Sequence, residues 1–183
     1  QVKCTLPVED ARLLLGRLQL FASADDSRPI LNTVRLEAYA SGFIRGAAAD
    51  GFALAVMGID GEVDTEGAGE FPLATVKDAL RVFPKKYGIV HFASDSEGTV
   101  LTFSGTDSFS STTVALSASA VEGKYPDYAQ LVRDWDEEES SGYIAVADHL
   151  TERVVKAAKL DKENSGIVRW FTPKNPHDPL TAL

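Results

Sequence analysis

The apolar positions change their period along the chain, and each change marks an element. Residues 2–6 alternate as a short strand does. Ala11, Leu14, Leu15, Leu18 and Phe21 then recur at helical spacing, with Pro7 near the expected helix start. "DDSRP" ends that helix. "ILNTVRLEAYASGFIRGAAA" predicts two strands around the turn residues Ser41-Gly42, and "FALAVMGID" a further strand ended by Asp60-Gly61. "GEVDTEGAGE" reads as a polar loop. In "PLATVKDALRVFPKK" the apolar stripe Leu73, Val76, Leu80 and Phe83 predicts a second helix, stopped by Pro84. "GIVHFASDSEGTVLTFSGTDSFSSTTVALSASAV" predicts three strands, with turns at Ser96-Glu97-Gly98 and Gly105-Thr106-Asp107. The order is β-α-β-β-β, then α-β-β-β, so one short motif is used twice.

The stretch "EGKYPDYAQLV" follows the last strand. Pro126 fixes φ and removes a backbone donor, so the chain must leave the sheet there, while Tyr125 and Tyr128 can bury a ring and keep a hydroxyl wet. This is a domain-closing corner. The acidic, then small and polar "RDWDEEESSG" reads as a linker. Beyond it "YIAVADHLTERVVKAAKLDKENSGIVRWFTP" runs strand, helix, turn, strand and repeats the opening plan at an offset of nearly 140 residues. The expected organisation is a domain over 1–134, an acidic linker over 135–142, and a partial strand-helix-strand unit over 143–183. The closing "NPHDPLTAL" is too short to complete that unit. The first residue is Gln rather than Met, which points to a true N-terminus outside this sequence.

Composition narrows the class. Hydrophobic residues make up 44% and charged residues 25%, ordinary values for a globular chain of 183 residues. No apolar run reaches the roughly 20 residues of a membrane-spanning helix, and the start lacks the layout of a signal peptide. A single cysteine, Cys4, excludes an internal disulfide framework. A reducing, cytoplasmic setting is expected, with no membrane partner and Cys4 as a buried strand residue. The net charge of −9 disfavours DNA if spread evenly, but the acids cluster at Asp60–Glu70 and Asp134–Glu139.

Catalytic signatures are missing. His91, His149 and His177 lie far apart, outside any zinc spacing, and His91 reads as a strand residue. There is no G-x-S-x-G elbow. "EGAGEFP" has neither a third glycine nor a following Lys-Ser/Thr, so it is no phosphate cradle. The expectation is a protein that is not an enzyme and carries no metal or other cofactor.

Basic residues fall on the helices instead. Lys77 and Arg81 lie on the second, with Lys85 and Lys86 just past its end. Arg153, Lys156, Lys159 and Lys162 follow at intervals of three on the third. Such spacing gives a slowly drifting basic stripe. Two readings stand: a solvated helix face, or a face that meets phosphates and binds in a salt-dependent way. The first helix adds only Arg12 and Arg17 beside Glu9 and Asp10.

The succession "SRPILNTVRLE", "AADGFALAV", "FPLATVKDALRVF", "VEGKYPDYAQLV" resembles the middle domain of the bacterial DNA polymerase III beta subunit, the sliding clamp, over roughly residues 3–134. The segment from Tyr143 is similar to the opening of that family's third domain. The resemblance implies an α+β sliding-clamp (processivity) fold: a duplicated β-α-β-β-β motif with antiparallel sheets outside and helices on one face. It implies a processivity factor that binds duplex DNA non-specifically as a homo-oligomer and tethers a DNA polymerase. The alternative is a clamp-fold protein–protein interaction module that does not encircle DNA. In the family, polymerase and clamp-loader-like partners dock a short peptide in an apolar pocket. The matching positions here are Leu31, then Ala49, Gly51, Phe52, Ala53 and Leu54, then Pro126, Gln130 and Leu131. Ala49, Phe52 and Ala53 stand where the family has Thr, His and Arg, which makes the site greasier. One domain and a fraction cannot encircle DNA alone, so either the chain is a fragment or several copies are needed.

Overall fold

A computed structural model describes residues 1–106, 111–129 and 148–160, and the backbone of 170–171 and 181–182. It divides into two compact units, Gln1–Tyr125 and Pro126–Leu183.

In the first unit a strand runs straight into a helix twice, each time through a proline. Strand β1 (Val2–Pro7) passes into α1 (Val8–Leu18), and β6 (Gly67–Pro72) passes into α2 (Leu73–Val82). The fixed φ of Pro7 and Pro72, near −51° and −54°, turns the extended chain into each helix. Each helix then satisfies its first amide on the other motif. Val8 N–H donates to the Gly88 carbonyl at 2.9 Å, and Leu73 N–H donates to the Asn32 carbonyl at 3.0 Å.

After α1 come β2 (Thr33–Ala38), β3 (Phe43–Ala49) and β4 (Leu54–Asp60). After α2 come β7 (Ile89–Ser94), β8 (Gly98–Thr106) and β9 (Ser111–Ser119). The motifs exchange their first strands: β1 pairs with β7, and β6 pairs with β2. One antiparallel sheet therefore has the order β5-β1-β7-β8-β9, the other β4-β3-β2-β6.

The segment expected to be a polar loop is instead two strands, β5 (Glu62–Thr65) and β6. The chain crosses from one sheet to the other at Gly61, where a side chain would meet Leu6 Cδ2 at 2.6 Å and the Thr5 carbonyl at 2.8 Å. Strand β5 has little strand character of its own and takes its form from pairing with β1. Its exposed Glu62 and Asp64 put charge on the sheet edge. Gly105 and Thr106, expected in a turn, are ladder residues opposite Thr112 and Ser111. At the preceding hairpin Asp95 accepts amide hydrogens from Glu97 and Gly98, which forms the expected turn.

Both helices pack on the inner faces of the sheets. Leu14 and Leu18 of α1 lie over Gly46 of β3, where a β-carbon would sit 2.9 Å from Leu14 Cδ1 and closer still to Leu18. In the second motif Phe83 lies tilted against Phe103, ring centres 5.7 Å apart, and Phe71 meets Phe92 edge-on at the same distance. On α2 the buried residues are Leu73, Thr75, Val76 and Ala79, while Leu80 of the expected stripe is only half-buried. Arg12 Nη1 donates to the Phe83 carbonyl at 2.8 Å and ties α1 to the end of α2.

Cys4 is buried in β1, where burial and the nearby Asp64 carboxylate push its thiol up to about 12. His91 sits in β7, its Nδ1 2.8 Å from Thr5 Oγ1. On the outer face of the second sheet Arg35 pairs with Glu37 at 2.8 Å and with Glu70, while Arg45 reaches Glu37 at 3.8 Å. The buried Tyr125 ring lies 5.6 Å from the Arg35 guanidinium, and burial pushes its hydroxyl up to about 12. The corner therefore closes the first unit by laying Tyr125 on this sheet.

In the second unit the described elements are α3 (Asp148–Lys159) and a short antiparallel pair, β10 (Trp170–Phe171) with β11 (Thr181–Ala182). The expected acidic linker and the strand before α3 lie outside the described residues.

Candidate nucleic-acid and peptide interface

Four exposed cations of the first unit cluster on α2 and the turn after it, while Lys3, Arg28 and Lys124 are exposed elsewhere on the unit. With Leu73, Val76 and Ala79 turned to the core, Lys77 and Arg81 project one helical turn apart on the opposite side. Pro84 ends the helix, and Lys85 and Lys86 are exposed directly beyond it. Arg81 pairs with Asp78 on the surface, an interaction worth roughly 0–1 kcal/mol and weakened by salt. Helix α1 contributes less. Arg12 is engaged with Phe83, Arg17 Nη1 lies 3.9 Å from Met57 Sδ, and Glu9 and Asp10 occupy the first turn. Partial burial raises the Asp10 carboxyl, and the Glu9 charge raises it further. The segments 8–18 and 73–86 together hold six basic and three acidic residues, in a chain of net charge −9. The helix layer is thus locally positive within an acidic protein.

On α3, Lys156 and Lys159 are exposed and Arg153 is half-buried. Lys156 Nζ lies 2.8 Å from Glu152 Oε1, one turn earlier. The exposed stripe of this helix therefore runs Glu152, Lys156, Lys159, and Arg153 lies off it. Lys162 falls outside the described residues.

Six of the pocket positions lie in the first unit, at one end of the second sheet. Leu31 is buried in a short 3-10 turn, Pro29–Leu31. Ala49 ends β3, and Asp50 Oδ1 accepts the amides of Phe52 and Ala53, both at 2.9 Å, to form the tight turn into β4 and Leu54. Gly51 holds φ +94° there, with the Arg28 guanidinium packed beneath it. Arg28 Nη2 also donates to the Asp50 carbonyl at 3.3 Å, which joins the Leu31 turn to the Asp50 turn. The Phe52 ring is 86% exposed at the tip. Pro126 is exposed and belongs to the second unit, and Gln130 and Leu131 lie outside the described residues.

Beside the expected Lys85 and Lys86, Tyr87 had no counterpart among the expected sites. The loop Pro84–Tyr87 ends at a residue with φ 63°, a left-handed conformation that costs a non-glycine residue roughly 1–2 kcal/mol. Tyr87 is 79% exposed. It borders a groove of about 550 Å³ with Ile89, Ser104, Ser111, Thr112 and Thr113. "KKYG", an aromatic between two lysines and a glycine, was the available signal.

Among the described residues no cluster of His, Cys, Asp and Glu could hold a metal, and no helix is long and apolar enough to cross a membrane.

An antiparallel double sheet of exchanged motifs, with paired helices on its inner faces, is the architecture of a sliding-clamp domain. Solved structures agree. The DNA polymerase III subunit beta from Pseudomonas aeruginosa superposes with a TM-score of 0.62 at 20% identity, over 75% of this chain and 36% of that one. A putative DNA polymerase III beta subunit from Eubacterium rectale gives 0.61 at 14%, over 70% and 33%. The beta subunit from Thermotoga maritima gives 0.57 at 18%, over 73% and 34%. The chain has the sliding-clamp fold and spans about a third of the length of these structures. No family model matches it, and no curated protein does.

Proposed function

We propose that this chain is a non-enzymatic, cytoplasmic, clamp-type processivity module that holds duplex DNA by its backbone, works as a homo-oligomer and tethers a polymerase. The observation that carries the reading is the cation-bearing outer side of α2, Lys77 and Arg81 followed by Lys85 and Lys86, on the helix layer of a clamp fold whose remainder is acidic. Lysine and arginine at the ends of mobile side chains neutralise phosphates without reading base edges, which gives affinity without register and so permits sliding. Lys156 and Lys159 on α3 are assigned the same role, with Arg153 and Lys162 beside them in sequence. The turns at Leu31 and Ala49–Leu54 are assigned to a partner peptide from a polymerase or clamp-loader-like protein, and Pro126, Gln130 and Leu131 carry the same assignment on the sequence resemblance alone. Substituting Lys77→Glu and Arg81→Glu together should weaken duplex binding by at least tenfold, equally for unrelated sequences. Unchanged affinity would refute the assignment of α2.

A second reading, a clamp-fold interaction module that does not encircle DNA, is favoured by Phe52, a bare apolar ring where the family's histidine stands. A chain that binds an apolar peptide but no duplex at low salt would decide for it.

A further inference from the structure

We infer that the Pro84–Tyr87 loop and the groove beside it form a binding site for single-stranded nucleic acid, with Tyr87 as a stacking platform for an unpaired base. The loop is short, exposed and anchored at both ends by the first helix. Before it, the Phe83 carbonyl accepts a hydrogen bond from Arg12; after it, the Gly88 carbonyl accepts one from Val8. Between these anchors Pro84, Lys85, Lys86 and Tyr87 all face solvent. Tyr87 has the single positive φ recorded for a non-glycine residue among the described residues. Glycine would take that conformation freely, so the backbone there does not call for a tyrosine. What tyrosine adds is a large flat ring, held out at 79% exposure on a fixed base.

The surroundings select the ligand. Two lysines precede the ring, and the described groove wall offers Ser104, Ser111, Thr112 and Thr113 and no acidic side chain. Cations for phosphates, hydroxyls for sugar and base edges, and an exposed aromatic face are the parts of a single-strand site. A duplex covers its base faces by stacking them on one another, so the ring can be used only by a strand whose bases are free. Ile89, exposed along the groove, adds apolar area without charge. The site shares Lys85 and Lys86 with the proposed duplex face, but its distinguishing element is Tyr87, which has no part in that face.

The test uses the full chain with fluorescein-labelled dT20 and, separately, a labelled 20-base-pair duplex, read by anisotropy at low salt. Tyr87→Ala should weaken dT20 binding about tenfold and leave duplex affinity within about twofold, whereas Tyr87→Phe keeps dT20 binding. Tyr87→Gly relieves the backbone, so it should fold at least as well as the parent by thermal unfolding and still lose dT20 binding. Replacing Lys85 and Lys86 by alanine should reduce the log–log salt slope on dT20 by about 1.4. The inference is overturned if the parent chain does not bind dT20, if Tyr87→Ala binds it unchanged, if Tyr87→Phe fails as Tyr87→Ala does, or if Tyr87 matters only for a peptide ligand. Tyr87-dependent dT20 binding without duplex binding would support this site and refute the duplex reading. Duplex binding without dT20 binding would do the reverse.

Discussion

Gly46 is the point where α1 rests on the second sheet, and its substitution shows how firmly the helix layer is seated. A β-carbon there would approach Leu14 Cδ1 to 2.9 Å and Leu18 Cδ1 more closely still. Both leucines are fully buried, so their tips can yield only by leaving good rotamers or by lifting α1. Overpacking of this kind costs about 1–3 kcal/mol. For a unit of this size, Gly46→Ala should lower the melting temperature by roughly 5–12 °C. Leu18→Ala alone should cost about 2–5 kcal/mol through the cavity it leaves. The two together should cost less than their sum by about 1–2 kcal/mol, because the added methyl occupies vacated space. Urea unfolding of the parent, both single variants and the double variant gives that coupling directly. Additive costs, within about 0.5 kcal/mol, would refute the packing described for α1.

Three further predictions concern separate features. The Cys4 thiol, held up at about 12, should stay protonated in the folded chain until pH approaches that value, so its labelling by a thiol reagent should track global unfolding. A labelling rate that climbs through pH 8–9 at native stability, as for a free thiol, would contradict the burial. Arg35→Met should cost about 1–2 kcal/mol in urea unfolding, since it leaves Glu70 and part of Glu37 half-buried without their cation and removes the group beneath Tyr125; no loss would mean that the cluster is decorative. Phe52→Ser should leave stability within about 0.5 kcal/mol, because the ring is exposed, while weakening retention on an immobilised leucine- and phenylalanine-bearing peptide. A large stability loss would show that the ring is not free.

Much of the architecture is legible in the residues. The two helices declare themselves by apolar spacing, and Pro7 and Pro84 mark a start and a stop. The hairpin turns at Ser41-Gly42 and Ser96–Gly98 are written in turn residues. Strands β5 and β6 are not. "GEVDTEGAGE" is rich in glycine and acid, and only its partners β1 and β2, brought from elsewhere in the chain, make it extended. The exchange of first strands between motifs is likewise a tertiary choice that no local pattern records. At the candidate site, the exposure of Lys77, Arg81, Lys85 and Lys86 follows from helix periodicity and from Pro84. The half-burial of Arg153 does not follow from its spacing, because three-residue steps drift around the helix. The Arg35, Glu37 and Glu70 cluster needs strand register to be seen, and the left-handed Tyr87 needs a dihedral angle.

The central claim is that an acidic chain carries a locally positive helix layer that grips duplex DNA by its phosphates. The affinity of the full chain for a 20-base-pair duplex of arbitrary sequence, measured as a function of salt, tests it most directly. Four phosphate contacts from Lys77, Arg81, Lys85 and Lys86 predict a log–log slope of about −3.6, steeper if α3 adds its own, and the same for unrelated sequences. A slope near zero, or no binding at low salt, would contradict it.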